Sequence, residues 1–187
     1  VHGAVIDDCD IEGPKVFYDK ENENGVGSIM RGSYTIRADQ TSSLTISNMR
    51  QRNFYHELND ATRGKTPDGM VDHQAVMGSN FCKNLLFENN MMTTFDSHSG
   101  IENLVVRGCE VERINVIGQG KVIVEDTIIH TGVTHSAIVL REDYNSNFKG
   151  DVYFKNVTLE TYNEGYVGLF WMSFRNYNTG LYYYVWL

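Results

Sequence analysis

The apolar residues of this chain fall in short alternating runs, and one run recurs in variant form. The segments "LTISNMRQ" (44–51), "LLFENNMM" (85–92), "LVVRGCEV" (104–111), "VIVEDTII" (122–129) and "VYFKNVTL" (152–159) share one grammar. Each opens apolar–x–apolar, passes a polar residue, reaches Asn, Gly or Asp, and resumes with a small or apolar residue. The turn position is Asn48, Asn89, Gly108, Asp126 and Asn156, all residue types that tolerate left-handed backbone geometry. A period of two, with β-branched and aromatic residues crowded between turn formers, predicts strands and not helices.

The central apolar residues of these phrases are Ile46, Phe87, Val106, Val124 and Phe154, separated by 41, 19, 18 and 30 residues. On a circuit of about twenty residues, the first gap holds two circuits and the last holds one with an enlarged loop. A second, shorter apolar run precedes each phrase: "HQAVMGSN" (73–80), "MTTFDSHS" (92–99), "INVIGQG" (114–120) and "SAIVLRED" (136–143). Two strands per circuit predict an all-β chain wound as a right-handed parallel β-helix (a solenoid), with about 18–24 residues per turn. An antiparallel sandwich also uses short, evenly spaced strands, but it has no reason to repeat one turn residue at one point of each unit. The polar stretch 55–73 reads as a long loop inserted between circuits, and 141–151 as a smaller excursion.

Length and composition bound the function. The 187 residues suit a single domain, 1–187. Val1 and the closing "GLYYYVWL" read as cut ends, so a fragment of a longer protein is expected. Only 2 prolines against 17 glycines favour tight turns over rigid corners. A net charge of −8 argues against nucleic acid or an anionic membrane surface as partner, and no apolar run is long enough to insert in a bilayer as a helix. The 3 cysteines have no metal spacing; Cys82 and Cys109 lie in apolar runs and read as small core residues. No metal or other cofactor is implied.

From "MGSNFCKNLLFENN" through "FDSHSGIENLVVRGCEVERINVIGQGKVIVEDTIIH" to "IVLREDYNSNFKGDVYFKNVTL", the chain resembles the pectin-lyase-like right-handed β-helix superfamily. Within it the likeness is to the branch of phage tailspikes and appendages and of secreted glycan-degrading proteins. The resemblance spans about residues 70–160. It implies an extracellular or virion-surface protein that meets a polysaccharide or other cell-surface glycan. Spikes of this kind commonly form homotrimers, although no heptad pattern here argues for one. The calcium-binding aspartates of the pectate lyases and the Gly-His-Gly segment of the polygalacturonases have no counterpart, so their catalytic residues do not transfer.

Chemistry on such a fold belongs to the outer face of a strand stack. Aligning the short strands by their last apolar residue puts Met77, Phe95, Ile117 and Leu140 in one column. Asn80, Asp96, His98, Arg141, Glu142 and Asp143 then share an edge. Carboxylates two strands apart would stand roughly 9–10 Å from each other. That is near the ~6.5–9.5 Å of an inverting glycosidase and well beyond the roughly 5 Å of a retaining one. Asp96 with Asp143 or Glu142 is therefore the candidate acid–base pair, with His98 tuning protonation. Arg141, Tyr144, Asn80 and Asn115 are the candidate sugar contacts. The alternative is bland: Asp96 and His98 make a turn, and Arg141 with Asp143 forms a surface ion pair. His130 and His135 flank a turn and read as solvated.

The leading expectation is an extracellular polysaccharide-degrading β-helix, a hydrolase in preference to a lyase or phosphodiesterase, of the kind phages carry as depolymerases. The alternative is a non-catalytic solenoid, a tail-fibre shaft or receptor-binding module, whose groove only holds glycan.

Overall fold

The structure, a computed structural model, describes residues 1–12, 36–52, 75–98, 100–131, 136–140, 148–161, 168–175 and 182–186. In chain order its strands are β1 (Val5–Asp7), β2 (Asp10–Glu12), β3 (Ile36–Asp39), β4 (Thr45–Ser47), β5 (Arg50–Arg52) and β6 (Ala75–Asn80). Next come β7 (Lys83–Glu88), β8 (Met91–His98), β9 (Ile101–Arg107), β10 (Glu110–Val116), β11 (Gly118–Glu125) and β12 (Ile128–Thr131). The last are β13 (Ser136–Leu140), β14 (Lys149–Lys155), β15 (Thr158–Thr161), β16 (Gly168–Arg175) and β17 (Tyr182–Trp186). Among the described residues there is no helix, and the protein is all-β with parallel sheets, as the period-two pattern predicts.

One sheet runs β1-β4-β7-β9-β11-β14 and the other runs β17-β16-β13-β10-β8-β5-β2, with β3, β6, β12 and β15 attached to the second. Successive strands of the first sheet are always separated by passage through the second. The pairing of β16 with β17 is antiparallel and departs from the all-parallel expectation.

Residues far apart in sequence meet in register. Ile6, Ile46, Phe87, Val106, Val124 and Phe154 occupy one column of the first sheet. Ile46, Phe87, Val106 and Val124 are almost wholly buried, whereas Phe154 at the end of the column is 39% exposed. Phe87 meets Phe95 of the other sheet edge-on, with centroids 4.7 Å apart, so the two sheets share one core. Each such buried side chain contributes roughly 1.5–3 kcal/mol of transfer free energy. Ile46 lies directly opposite Phe87, which corrects the reading of two circuits in that gap: the 41 residues make one passage. The insertion at 55–73 lies outside the described residues, and a second stretch of similar length, 13–35, separates β2 from β3. Spacings of 40, 41 and 30 residues therefore stand beside the 18 and 19 that the expected period allows.

The turn after this column is left-handed at every level. Asp8, Asn48, Asn89, Gly108, Asp126 and Asn156 have φ between 50° and 60°. The N–H of Asp8, Asn48, Asn89, Gly108 and Asp126 donates to a carbonyl of the next strand at 2.9–3.1 Å, so the backbone ladder continues through the corner. Side chains add a polar ladder: Asn48 Nδ2 donates to Asp7 Oδ1 (2.8 Å) and Asn156 Nδ2 to Asp126 Oδ1 (2.9 Å). Hydrogen bonds from Ser47 and then Asn48 hold the Asp7 carboxyl below its ordinary pKa. The next position turns inward. Buried Asn90 accepts from the Met49 N–H (3.0 Å) and donates to the Ile46 carbonyl (2.8 Å). Cys82 and Cys109 are buried core residues, as expected, and burial pushes the Cys109 thiol up to about 11.

His130 is buried, not solvated. Its Nε2 lies 2.5 Å from Glu110 Oε1 and its Nδ1 lies 2.9 Å from Glu160 Oε2. Its place between two carboxylate-bearing strands, β10 and β15, could not be read from the turn that follows it. His135 lies outside the described residues.

Replacing Asn90 with Ala leaves the buried Met49 N–H without its partner, at a cost of about 1–3 kcal/mol, and removes the amide bond to the Ile46 carbonyl. Denaturant unfolding of Asn90→Ala is expected to show a loss of about 2 kcal/mol with an unchanged m-value.

Candidate functional site: a groove on the outer face of the first sheet

Alternation that buries Val106 and Val124 points their neighbours outward. Val105, Ile123 and Tyr153 form the next column, with Tyr153 50% exposed. Beside them lies a groove of about 700 Å³, lined by the starts of β9, β11 and β14 and by Asn84.

Two glycines in the groove's lining let its strands approach closely. Gly120 and Gly150 are register partners, and a Cβ on Gly150 would lie 1.8 Å from the Gly120 carbonyl oxygen. A Cβ on Gly120 would lie 2.4 Å from Asn103 Oδ1. Gly120 also has φ of +84°, which glycine adopts without strain. The pairing of β9 with β11 shifts register between Gln119 and Val122, a bulge that re-aims the strand. Asn103 holds the bulge: its Oδ1 accepts from the Lys121 N–H (2.9 Å) and its Nδ2 donates to Asn84 Oδ1 (3.0 Å).

The walls are charged. Lys121 and Asp151 are register partners, as are Gln119 and Lys149. Lys121 Nζ stands 6.0 Å from the centroid of the Tyr153 ring, at the outer limit of a cation–π contact. Lys83 Nζ is 2.8 Å from Glu102 Oε2. The Lys83 hydrogen bond, its charge, and a hydrogen bond from Gln119 hold the Glu102 carboxyl below its ordinary range. The apolar Val105 and Ile123 with the charged walls can seat a polar molecule with one apolar face.

The edge expected from sequence lies on the second sheet, before the corner that leads into this groove. Asp96 pairs with Gly78 on one side and Asn115 on the other, and His98 pairs with Asn80. The column itself needs correction. Met77 and Phe95 align as read, but Phe95 continues to Ile114 and Ile138, not to Ile117 and Leu140. The residue at the level of Asp96 on β13 is Val139, where the alignment expects the residue after Leu140. Residues 114–117 and 137–140 are buried on both faces, so no alternation fixes their register. Arg141, Glu142, Asp143 and Tyr144 lie outside the described residues. Asn115 is only 6% exposed, which removes it as a sugar contact.

Sequence reasoning gives no role to Glu102, Lys121, Asp151 and Tyr153 because it places the site on the short-strand edge, and it reads 141–151 as an excursion. The signal lies two positions to the left of the repeat: "GKVIV" (120–124) and "GDVYF" (150–154) carry glycine at the same place. Compared with known protein families, curated proteins and solved structures, the chain matches none.

With Lys83→Met, Glu102 loses the partner that favours its charged form. Its titration midpoint, followed by NMR of the side-chain carboxyl, is expected to rise toward the ordinary 4.5. In the wild-type chain this pair stabilises the fold above that pH and is lost as pH falls through the lowered midpoint; the variant lacks that acid-side dependence.

Proposed function

We propose that the chain is a right-handed parallel β-helix of the pectin-lyase-like kind, displayed outside the cell or on a virion, and that its outer groove binds a polysaccharide. The parallel register, the passage of the chain through alternate sheets, and the left-handed corner repeated at one point of each passage support the helical winding. The observation that carries the binding reading is the groove of apolar, amide and charged residues beside the half-exposed Tyr153. A pyranose offers an apolar C–H face and a rim of hydroxyls; Val105, Ile123 and Tyr153 suit the face, and Asn84, Gln119, Lys121 and Asp151 suit the rim.

One register favours cleavage of the glycan as a second reading. Asp96 is the register partner of Gly78, a residue without a side chain, and His98 follows on the same strand. Asp96 would then serve as general acid or base.

Retention on immobilised capsular polysaccharides, pectins and teichoic acids tests binding. At least one is expected to be retained, with Tyr153→Ala weakening retention about 5–10-fold, the effect of losing one aromatic contact. New reducing ends, unsaturated ends or released phosphate, abolished by Asp96→Asn, would support cleavage. Neither retention nor product across the panel contradicts both readings.

A further inference from the structure

At the corner between β6 and β7 stands Phe81, and nothing in the fold accounts for its being phenylalanine. Its φ is +53°, a region that costs roughly 1–2 kcal/mol for a residue with a Cβ. The same corner uses Gln40 one passage earlier and Gly100 one passage later, and the corners after the first sheet use Asp, Asn or Gly at positions 8, 48, 89, 108, 126 and 156. Burial does not offset that cost, because Phe81 is 60% exposed. The ring leans on Gly100, the left-handed residue at the same corner of the next passage: a Cβ there would lie 3.3 Å from Phe81 Cδ1. Gly100 thus supports the ring from one side, and much of the ring faces solvent.

The position is informative. Immediately before Phe81 is Asn80, the register partner of His98. Immediately after come buried Cys82, then Lys83 in its ion pair with Glu102, then Asn84, bonded to Asn103 at the groove wall. The exposed ring therefore stands where the Asp96–His98 strand edge turns into the groove. Backbone strain of this kind clusters at ligand sites, and an exposed aromatic face supplies a large apolar contact.

We propose that Phe81 is a stacking platform for a sugar ring, extending the polysaccharide site from the groove around the corner toward Asn80 and His98. The inference rests on the glycan-binding reading above. A flat ring held on a glycine backbone offers a preorganised apolar face, and the amides and charged groups beside it take the hydroxyls.

Three variants separate binding from structure. Phe81→Gly relieves the left-handed strain, so its thermal midpoint is expected to equal or exceed that of the wild-type chain. Its affinity for whichever of the capsular polysaccharide, pectin or teichoic acid the wild-type chain retains is expected to fall about 5–10-fold. Phe81→Leu keeps the backbone strain and the apolar character but lacks a flat face, and is expected to lose as much. Phe81→Trp is expected to bind as tightly as the wild-type chain or tighter, with its emission shifted by the glycan. Affinity within twofold of wild type for the Gly or Leu variant overturns the role of Phe81 while leaving the groove intact. Failure of the wild-type chain to retain any of the three overturns the glycan reading and this inference with it.

Discussion

Parallel register across the first sheet is the constraint on which everything else depends. Ile46, Phe87, Val106 and Val124 lie one beside the next because a slip of one residue would turn every one of these side chains from core to solvent. The left-handed corner protects that register. A residue of φ near +55° redirects the chain while its N–H still reaches the neighbouring strand, so the ladder is not interrupted where the sheets meet. Asn and Asp serve there because their short polar side chains tolerate the conformation and bond to the level below.

The same register makes the groove. Gly120 and Gly150 are separated by 30 residues of sequence yet are neighbours in the sheet, and the lack of a Cβ on either lets the groove's backbone strands and Asn103 close up beneath it. Around it, Lys83, Lys121 and Lys149 concentrate positive charge on a chain whose net charge is −8, with Glu102 and Asp151 interleaved. The groove can thus offer both signs of charge to a polar ligand even though the chain as a whole is acidic.

How much of this was legible differs between the two sheets. In the first, apolar alternation and the turn residue mark both face and register, and the positions read from sequence are the ones that stack. In the second, "INVI" and "AIVL" are buried on both faces, so the pattern carries no phase; aligning them by their last apolar residue slipped the column by three residues at Ile117 and by two at Leu140. With that slip corrected, Val139 stands at the level of Asp96, where the alignment expects the residue after Leu140. Phe81 had a signal that was not used. Extending the repeat leftward sets "NFCKNL" (80–85) against "SGIENL" (99–104), which exposes a phenylalanine in a glycine's place. His130 had none, because its carboxylate partners come from positions 110 and 160.

If residues thirty positions apart are lateral neighbours on one outer face, Ile123 and Tyr153 should lie about 4.8 Å apart at Cα, close enough for a disulfide. Oxidation of a chain carrying Ile123→Cys, Tyr153→Cys and Cys9→Ser, followed by peptide mapping, tests this directly. The account predicts a 123–153 cross-link in high yield without loss of fold. A folded chain that forms no such link would contradict the register, and with it the groove.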